Sequence, residues 1–147
     1  MRILLPSQEQ QLLSVIRPRE PFGARDRALI TLALHTGLRS HELTALDVGH
    51  VMTWDGFPRQ WVEVVGKGGR QRQVPLNAAA RQAVIDLVHF NRSRGFAVAG
   101  ESPLLVTRRH GRLPWADVVQ PAIDRAEAGF EVGPRLHELL RVDRHLR

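Results

Sequence analysis

The stretch Ala33-Leu34-His35-Thr36-Gly37-Leu38-Arg39-Ser40-His41-Glu42-Leu43 decides how this chain is read. Before it, Ala28, Leu29, Ile30, Leu32, Ala33 and Leu34 form a mostly apolar run closed by Gly37. That pattern predicts a buried helix with a glycine just past its C-terminus. A second helix is expected from about Ser40 to Leu46, with Leu43 and Leu46 on one side. Gly37 turns the chain tightly, and Arg39 falls at the junction, beside the N-terminus of the second helix. Backbone N–H groups and a guanidinium that converge there suit an anionic phosphate. Glu42, three residues on, is placed to hold Arg39 by an ion pair. The same spacing also fits a plain helix cap with a solvated arginine, so the stretch alone leaves both readings open.

Toward the C-terminus the hydrophobic period changes. Val48, Val51 and Met52 lead to the turn signal Asp55-Gly56, and Trp61 to Val65 carries a β pattern. Gly66-Lys67-Gly68-Gly69 is a second turn, and Gln71 to Leu76 is a third extended piece. The expectation is a small antiparallel sheet of about three strands. Its glycine-rich turn presents Lys67 at the tip with Arg70 and Arg72 behind it, narrow enough to enter a groove or reach a phosphate. A lysine can donate a proton once desolvation or neighbouring cations lower its pKa, whereas an arginine is a poor donor and a good clamp. Lys67 is the single lysine among 21 basic residues. A lone lysine must fall somewhere, and glycine-flanked turns are common places for one. The spacing is not that of a phosphate-binding P-loop.

The flanks complete one α+β domain over residues 1–147. Ser7 with Gln10 is a capping-box pattern ahead of Leu12, Leu13, Val15 and Ile16, and Arg17-Pro18 ends that helix. Asn77 is set to cap a helix carrying Ala79, Ala83, Val84, Leu87 and Val88. Beyond the loop of Gly95 and Gly100 come Leu104-Leu105-Val106, a turn at His110-Gly111, a helix from about Trp115 to Ala128, and a basic helix to Arg147.

Composition narrows the function classes. The chain has no cysteine, which excludes disulfides, thiolate metal sites and a cysteine nucleophile. It has no tyrosine, so these residues supply no phenolic hydroxyl. No stretch is long and apolar enough for a membrane span or a signal-peptide core, and we read a cytoplasmic protein. The net charge of +6 favours a polyanionic partner, nucleic acid first. Codon bias toward arginine explains the same charge, and the excess is spread evenly along the chain, so local clusters must give it an address.

Two linked motifs, the Gly37-Leu38-Arg39 junction and the Gly66-Lys67-Gly68 hairpin running into Val74-Pro75-Leu76, resemble the catalytic domain of the tyrosine recombinase (phage integrase) family. Pro103-Leu104-Leu105 and the turn Arg108-Arg109-His110-Gly111-Arg112 fit the same order, so the resemblance covers about residues 3–134. It implies a mostly helical domain with a small sheet and a role in DNA recombination or integration on double-stranded DNA. It implies no cofactor and no obligatory metal. By the resemblance, Arg39 clamps the scissile phosphate, Glu42 is the acidic residue that supports it, and Lys67 protonates the leaving 5′ oxygen. Arg70, Arg72, Arg108, Arg109 and Arg112 are the expected DNA contacts. Fixed guanidinium donors would stabilise charge gained on the phosphate's nonbridging oxygens, and a general acid would release the leaving alkoxide.

The resemblance weakens toward the end. The family has a His-x-x-Arg after a proline, whereas here Gly133-Pro134 is followed by Arg135-Leu136-His137-Glu138-Leu139-Leu140-Arg141. If His137 is the motif histidine, the arginine comes one residue late at Arg141, a slip of about 100° around a helix. The family's nucleophilic tyrosine has no counterpart among these residues, and they are expected to lack its separate N-terminal DNA-binding domain. The expectation is therefore an incomplete, C-terminally truncated recombinase core that binds DNA but does not cleave it alone. The alternative is a non-catalytic module that self-associates or pairs with an intact recombinase, which supplies the tyrosine. His41-Glu42 and His137-Glu138 each begin like a zinc-protease motif but lack its second histidine. Trp54, Trp61 and Trp115 could stack on bases, though core or sheet-face packing is the commoner use. Arginines of the tail track either a DNA backbone or solvent.

Overall fold

A computed structural model of the chain describes residues 6–14 and 22–106. Helix α1 spans Pro6–Ser14, α2 Gly23–Thr36, α3 Ser40–Thr44 and α4 Val48–Val51. Strands β1, Trp61–Val65, and β2, Gln71–Pro75, follow, and α5, Ala78–Ser93, comes last. Ser7 lies inside α1, after Pro6, so it is not the cap its spacing suggested.

Helix α2 is buried along most of its length and packs against α5. Leu29, Ile30 and Leu32 meet Ala80, Ala83, Val84 and Leu87 in one core, which Leu43, Val62, Val64, Leu76, Leu104 and Leu105 complete. Burying a leucine or isoleucine of this kind stabilises the fold by roughly 2 kcal/mol each. Asn77 caps α5 as expected, its side chain accepting from the Ala80 N–H at 2.9 Å.

The sheet among the described residues is two-stranded and antiparallel, not three-stranded. Trp61 pairs with Pro75, Val62 with Val74, Glu63 with Gln73, Val64 with Arg72 and Val65 with Gln71. The expected first strand does not form. Val48 to Val51 closes a short helix whose Met52 N–H goes to Val48 O at 2.8 Å, so that donor is spent. Met52 faces Pro58 in a single bridge, and a proline cannot donate to a ladder. Helix α4 is instead held from the other side: Val48 N–H reaches Ser102 O at 2.8 Å and Gly49 N–H reaches Gly100 O at 2.9 Å. A Cβ at Gly49 would stand 2.8 Å from Gly100 O, so that approach requires glycine. No described helix is long and apolar enough to cross a membrane.

Candidate nucleic-acid interface

The junction between α2 and α3 is built as its spacing predicts. Gly37 takes a left-handed conformation, φ 67°, and its N–H bonds Ala33 O at 3.0 Å. Leu38 is fully buried and anchors the turn, while its N–H donates to Thr36 Oγ1 at 3.3 Å. Arg39 follows in extended conformation as the N-cap residue of α3. Its side chain is exposed, and among the described residues its guanidinium makes no hydrogen bond or ion pair. Because α3 is a single short helix of five residues, its dipole adds little, and the guanidinium is the feature an anion would meet.

Glu42 does not pair with the Arg39 guanidinium. Its Oε1 accepts the Arg39 backbone N–H at 2.8 Å, which fixes the start of α3. The same carboxylate takes a bidentate grip from Arg72: Nη1 to Oε2 at 2.7 Å and Nη2 to Oε1 at 2.8 Å. The Glu42 side chain is 3% exposed and that of Arg72 is 42% exposed. The Arg72 hydrogen bonds hold the Glu42 carboxyl below its ordinary pKa, with the Arg39 N–H helping and burial opposing. Reciprocally, the Glu42 hydrogen bond raises the Arg72 pKa.

Register explains why Arg72 reaches inward. Val62 and Val64 on β1 and Val74 on β2 are buried, and Arg72 pairs with Val64 and lies two residues before Val74. It therefore shares the core face of the hairpin, while Gln71, Gln73 and Pro75 face outward. The turn ahead of it is a 3-10 turn, Lys67–Gly69, closed by Gly66 N–H to Arg70 O at 2.7 Å. Gly68 and Gly69 have φ of 77° and 75°, which glycine adopts without strain. A Cβ on Gly66 would lie 3.3 Å from Arg72 Nη1, so the guanidinium passes directly beside the residue that precedes Lys67.

Glu42 thus ties together the Arg39 backbone and the root of the Lys67 turn, segments about thirty residues apart in the chain. Arg70 is exposed at the end of that turn, and among the described residues its side chain has no partner. Arg72, expected as a DNA contact, directs both terminal nitrogens to Glu42 while its side chain stays 42% exposed. The alternation of Arg72 with Val74 and Leu76 was the signal that could have shown this. Both Glu42 oxygens are occupied by these contacts, so the His41-Glu42 pair offers no idle carboxylate. Trp54 is 97% exposed at its turn, contrary to an expected core role, because Thr53 Oγ1 and the Phe57 backbone close the turn beneath it. Trp61 lies half exposed on the outer sheet face. Arg108, Arg109, Arg112, Trp115, His137 and Arg141 lie outside the described residues.

Comparison with known proteins agrees with this geometry. The chain is 34% identical over 115 residues to a tyrosine recombinase XerC of Roseiflexus castenholzii, covering 76% of this chain and 35% of that protein. It therefore spans about a third of the length of that relative. The crystal structure of XerA recombinase superposes with a TM-score of 0.68 at 20% identity, over 94% of this chain and 46% of that one. That of XerH site-specific recombinase bound to difH substrate gives 0.68 at 21% identity, over 97% and 41%. These structural likenesses establish the mostly helical fold with its small antiparallel sheet. The profile of the phage integrase family matches residues 2–138, and with the Gly37-Leu38-Arg39 junction joined through Glu42 to the Gly-Lys-Gly hairpin, the chain belongs to the phage integrase (tyrosine recombinase) family.

Proposed function

We propose that this chain binds double-stranded DNA in site-specific recombination or integration, gripping a backbone phosphate between Arg39 and the Lys67 turn. The observation that carries the reading is Glu42, which accepts from the Arg39 backbone and the Arg72 guanidinium at once and so joins two cationic segments. The DNA-bound XerH structure supports the choice of ligand. Arg39, exposed and with no partner among the described residues, clamps the nonbridging oxygens. Lys67 protonates the leaving oxygen in a complete site. Arg70, Arg108, Arg109 and Arg112 add backbone contacts, and His137 and Arg141 are the candidates for the family's later catalytic pair, with Arg141 one residue late in the sequence.

These 147 residues contain no tyrosine and so supply no phenolic nucleophile for a covalent link to DNA. Acting by themselves they bind and do not cleave. In a second reading, the chain pairs with an intact recombinase that provides the tyrosine. The test combines two assays. Anisotropy titration of labelled duplex DNA across a salt series is expected to show affinity falling steeply as salt rises. A suicide substrate incubated with the chain alone is expected to yield no covalent adduct, and an adduct that appears only with an added intact recombinase supports pairing. Salt-insensitive binding would overturn the DNA reading, and an adduct with the chain alone would overturn the inactivity.

A further inference from the structure

We propose that Arg72 is a positioning residue rather than a DNA contact: its bidentate pair with Glu42 locks the root of the Lys67 turn to the α3 N-terminus that carries Arg39. The inference deepens the DNA-binding reading and rests on it for its functional consequence. Three observations carry it. First, both terminal guanidinium nitrogens are committed to one carboxylate, at 2.7 and 2.8 Å, and that carboxylate is 3% exposed. Second, the pair joins parts of the chain that no sheet or helix hydrogen bond joins: the junction after α2 and the second strand of the hairpin. Third, the glycine at Gly66 leaves room for the guanidinium, since a Cβ there would stand 3.3 Å from Nη1. The hairpin's root is thereby fixed one residue from Lys67.

Two cations that act on one phosphate must keep a set separation, and a shift of about an ångström in such a site is costly. Among the described residues the hairpin is a two-stranded ribbon packed on the core through Val62, Val64 and Val74, and its lysine sits between glycines in a turn beyond those valines. The Glu42–Arg72 clamp adds a fixed point at the root of that turn. Its depressed Glu42 pKa agrees with a carboxylate that stays charged and paired.

The test uses the full chain and a fluorescein-labelled random-sequence duplex. Affinity is measured across a salt series for wild type, Arg39→Gln, Arg72→Lys, Arg72→Met, Glu42→Gln and the Arg72→Met/Glu42→Gln pair. Arg39→Gln should reduce the slope of log affinity against log salt by about one, as for one lost phosphate contact. Arg72→Met should weaken binding about tenfold at every salt concentration with the slope unchanged, and the double variant should be no weaker, because coupled residues are not additive. Arg72→Lys keeps the charge and loses the fork, so it too should bind more weakly at an unchanged slope. The inference is overturned if Arg72→Met lowers the slope by about one, if its effect adds to that of Glu42→Gln, or if Arg72→Lys binds like wild type. Amide hydrogen exchange at Gly66 to Arg70 is followed in the same proteins without DNA. Faster exchange in both Arg72 variants and in Glu42→Gln supports the clamp, and unchanged exchange counts against it. If wild type itself shows no salt-dependent binding, the DNA reading fails, while the exchange measurement still decides the clamp.

Discussion

Two regions of this molecule place an arginine near the start of a helix, and they treat it in opposite ways. At the start of α2, Arg25 is 3% exposed: its Nη1 donates to Val106 O at 3.0 Å, its Nε and Nη2 grip Asp26, and its plane lies 4.3 Å over Phe22. Arg94 covers the same ring from 5.5 Å. At the start of α3, Arg39 points into solvent with no side-chain partner among the described residues. The first arginine is consumed in holding the Val106 backbone to α2, and the second is left available. A positive net charge cannot tell these uses apart; burial and partners can. Arg72 falls between them, half exposed but already committed to Glu42.

The sharpest way to break the contrast is to remove the buried arginine. Arg25→Met removes the donor to the Val106 carbonyl and the Arg25 contacts to Asp26. Loss of stability should be about 3 kcal/mol, read from urea unfolding. The salt dependence of DNA binding by the folded fraction should not change. A fall in salt slope would mean that Arg25 belongs with Arg39 after all.

Next in size is Arg72→Met, with an expected loss of about 2 kcal/mol at neutral pH, moderated because Arg72 is itself partly solvated. Its sign against pH is the informative part. In the wild type the Glu42 pKa is depressed, mainly by Arg72, so its contribution to stability is present above the ordinary value of 4.5 and is lost as pH falls through the lower folded value. Without Arg72 the largest cause of that depression is gone, and burial opposes the charge against the remaining Arg39 N–H. The variant should therefore lose much of the stability that the wild type gains as pH rises through the Glu42 titration. Urea unfolding at a series of pH values checks both slopes, and a variant with the wild-type profile would show that Arg72 is not what holds Glu42 charged.

A smaller effect is expected at the hairpin tip. A Cβ at Gly68 meets nothing within 4 Å, so Gly68→Ala costs only the strain of its φ of 77°, about 1 kcal/mol. DNA affinity should fall along with stability if the turn's shape presents Lys67. Affinity that stays at the wild-type level while stability drops would separate the turn from the DNA surface.

Much of this contrast was legible in the sequence, and the illegible part has a physical pattern. The Gly37 cap, the Asn77 cap and the Gly66-Lys67-Gly68 turn were readable because each depends on local backbone chemistry. The third strand was not, because it failed through Pro58 and through contacts of α4 with Ser102 and Gly100, which are distant in sequence. The partner of Glu42 was assigned by proximity to Arg39, three residues away, whereas the stronger partner arrives from a strand thirty residues on. Local spacing sees neighbours along a helix; it does not see which face of a later strand turns inward, although the alternation of Arg72 with Val74 held that information.

The smallest effect on stability, and the one that tests the comparison most directly, is Arg39→Gln. The Arg39 contact that matters to the fold is its backbone N–H to Glu42, and glutamine keeps that N–H. The side chain is exposed and bonded to nothing among the described residues, so urea unfolding should agree with wild type within about 0.5 kcal/mol. DNA binding should weaken with a salt slope lower by about 0.9, the release expected from one phosphate. Arg25→Met and Arg39→Gln therefore form opposite entries in the same pair of measurements, one moving stability alone and the other moving the salt slope alone. Should Arg39→Gln unfold as readily as Arg25→Met, its guanidinium would be part of the fold's support, and the claim that it stands free for a phosphate would fall.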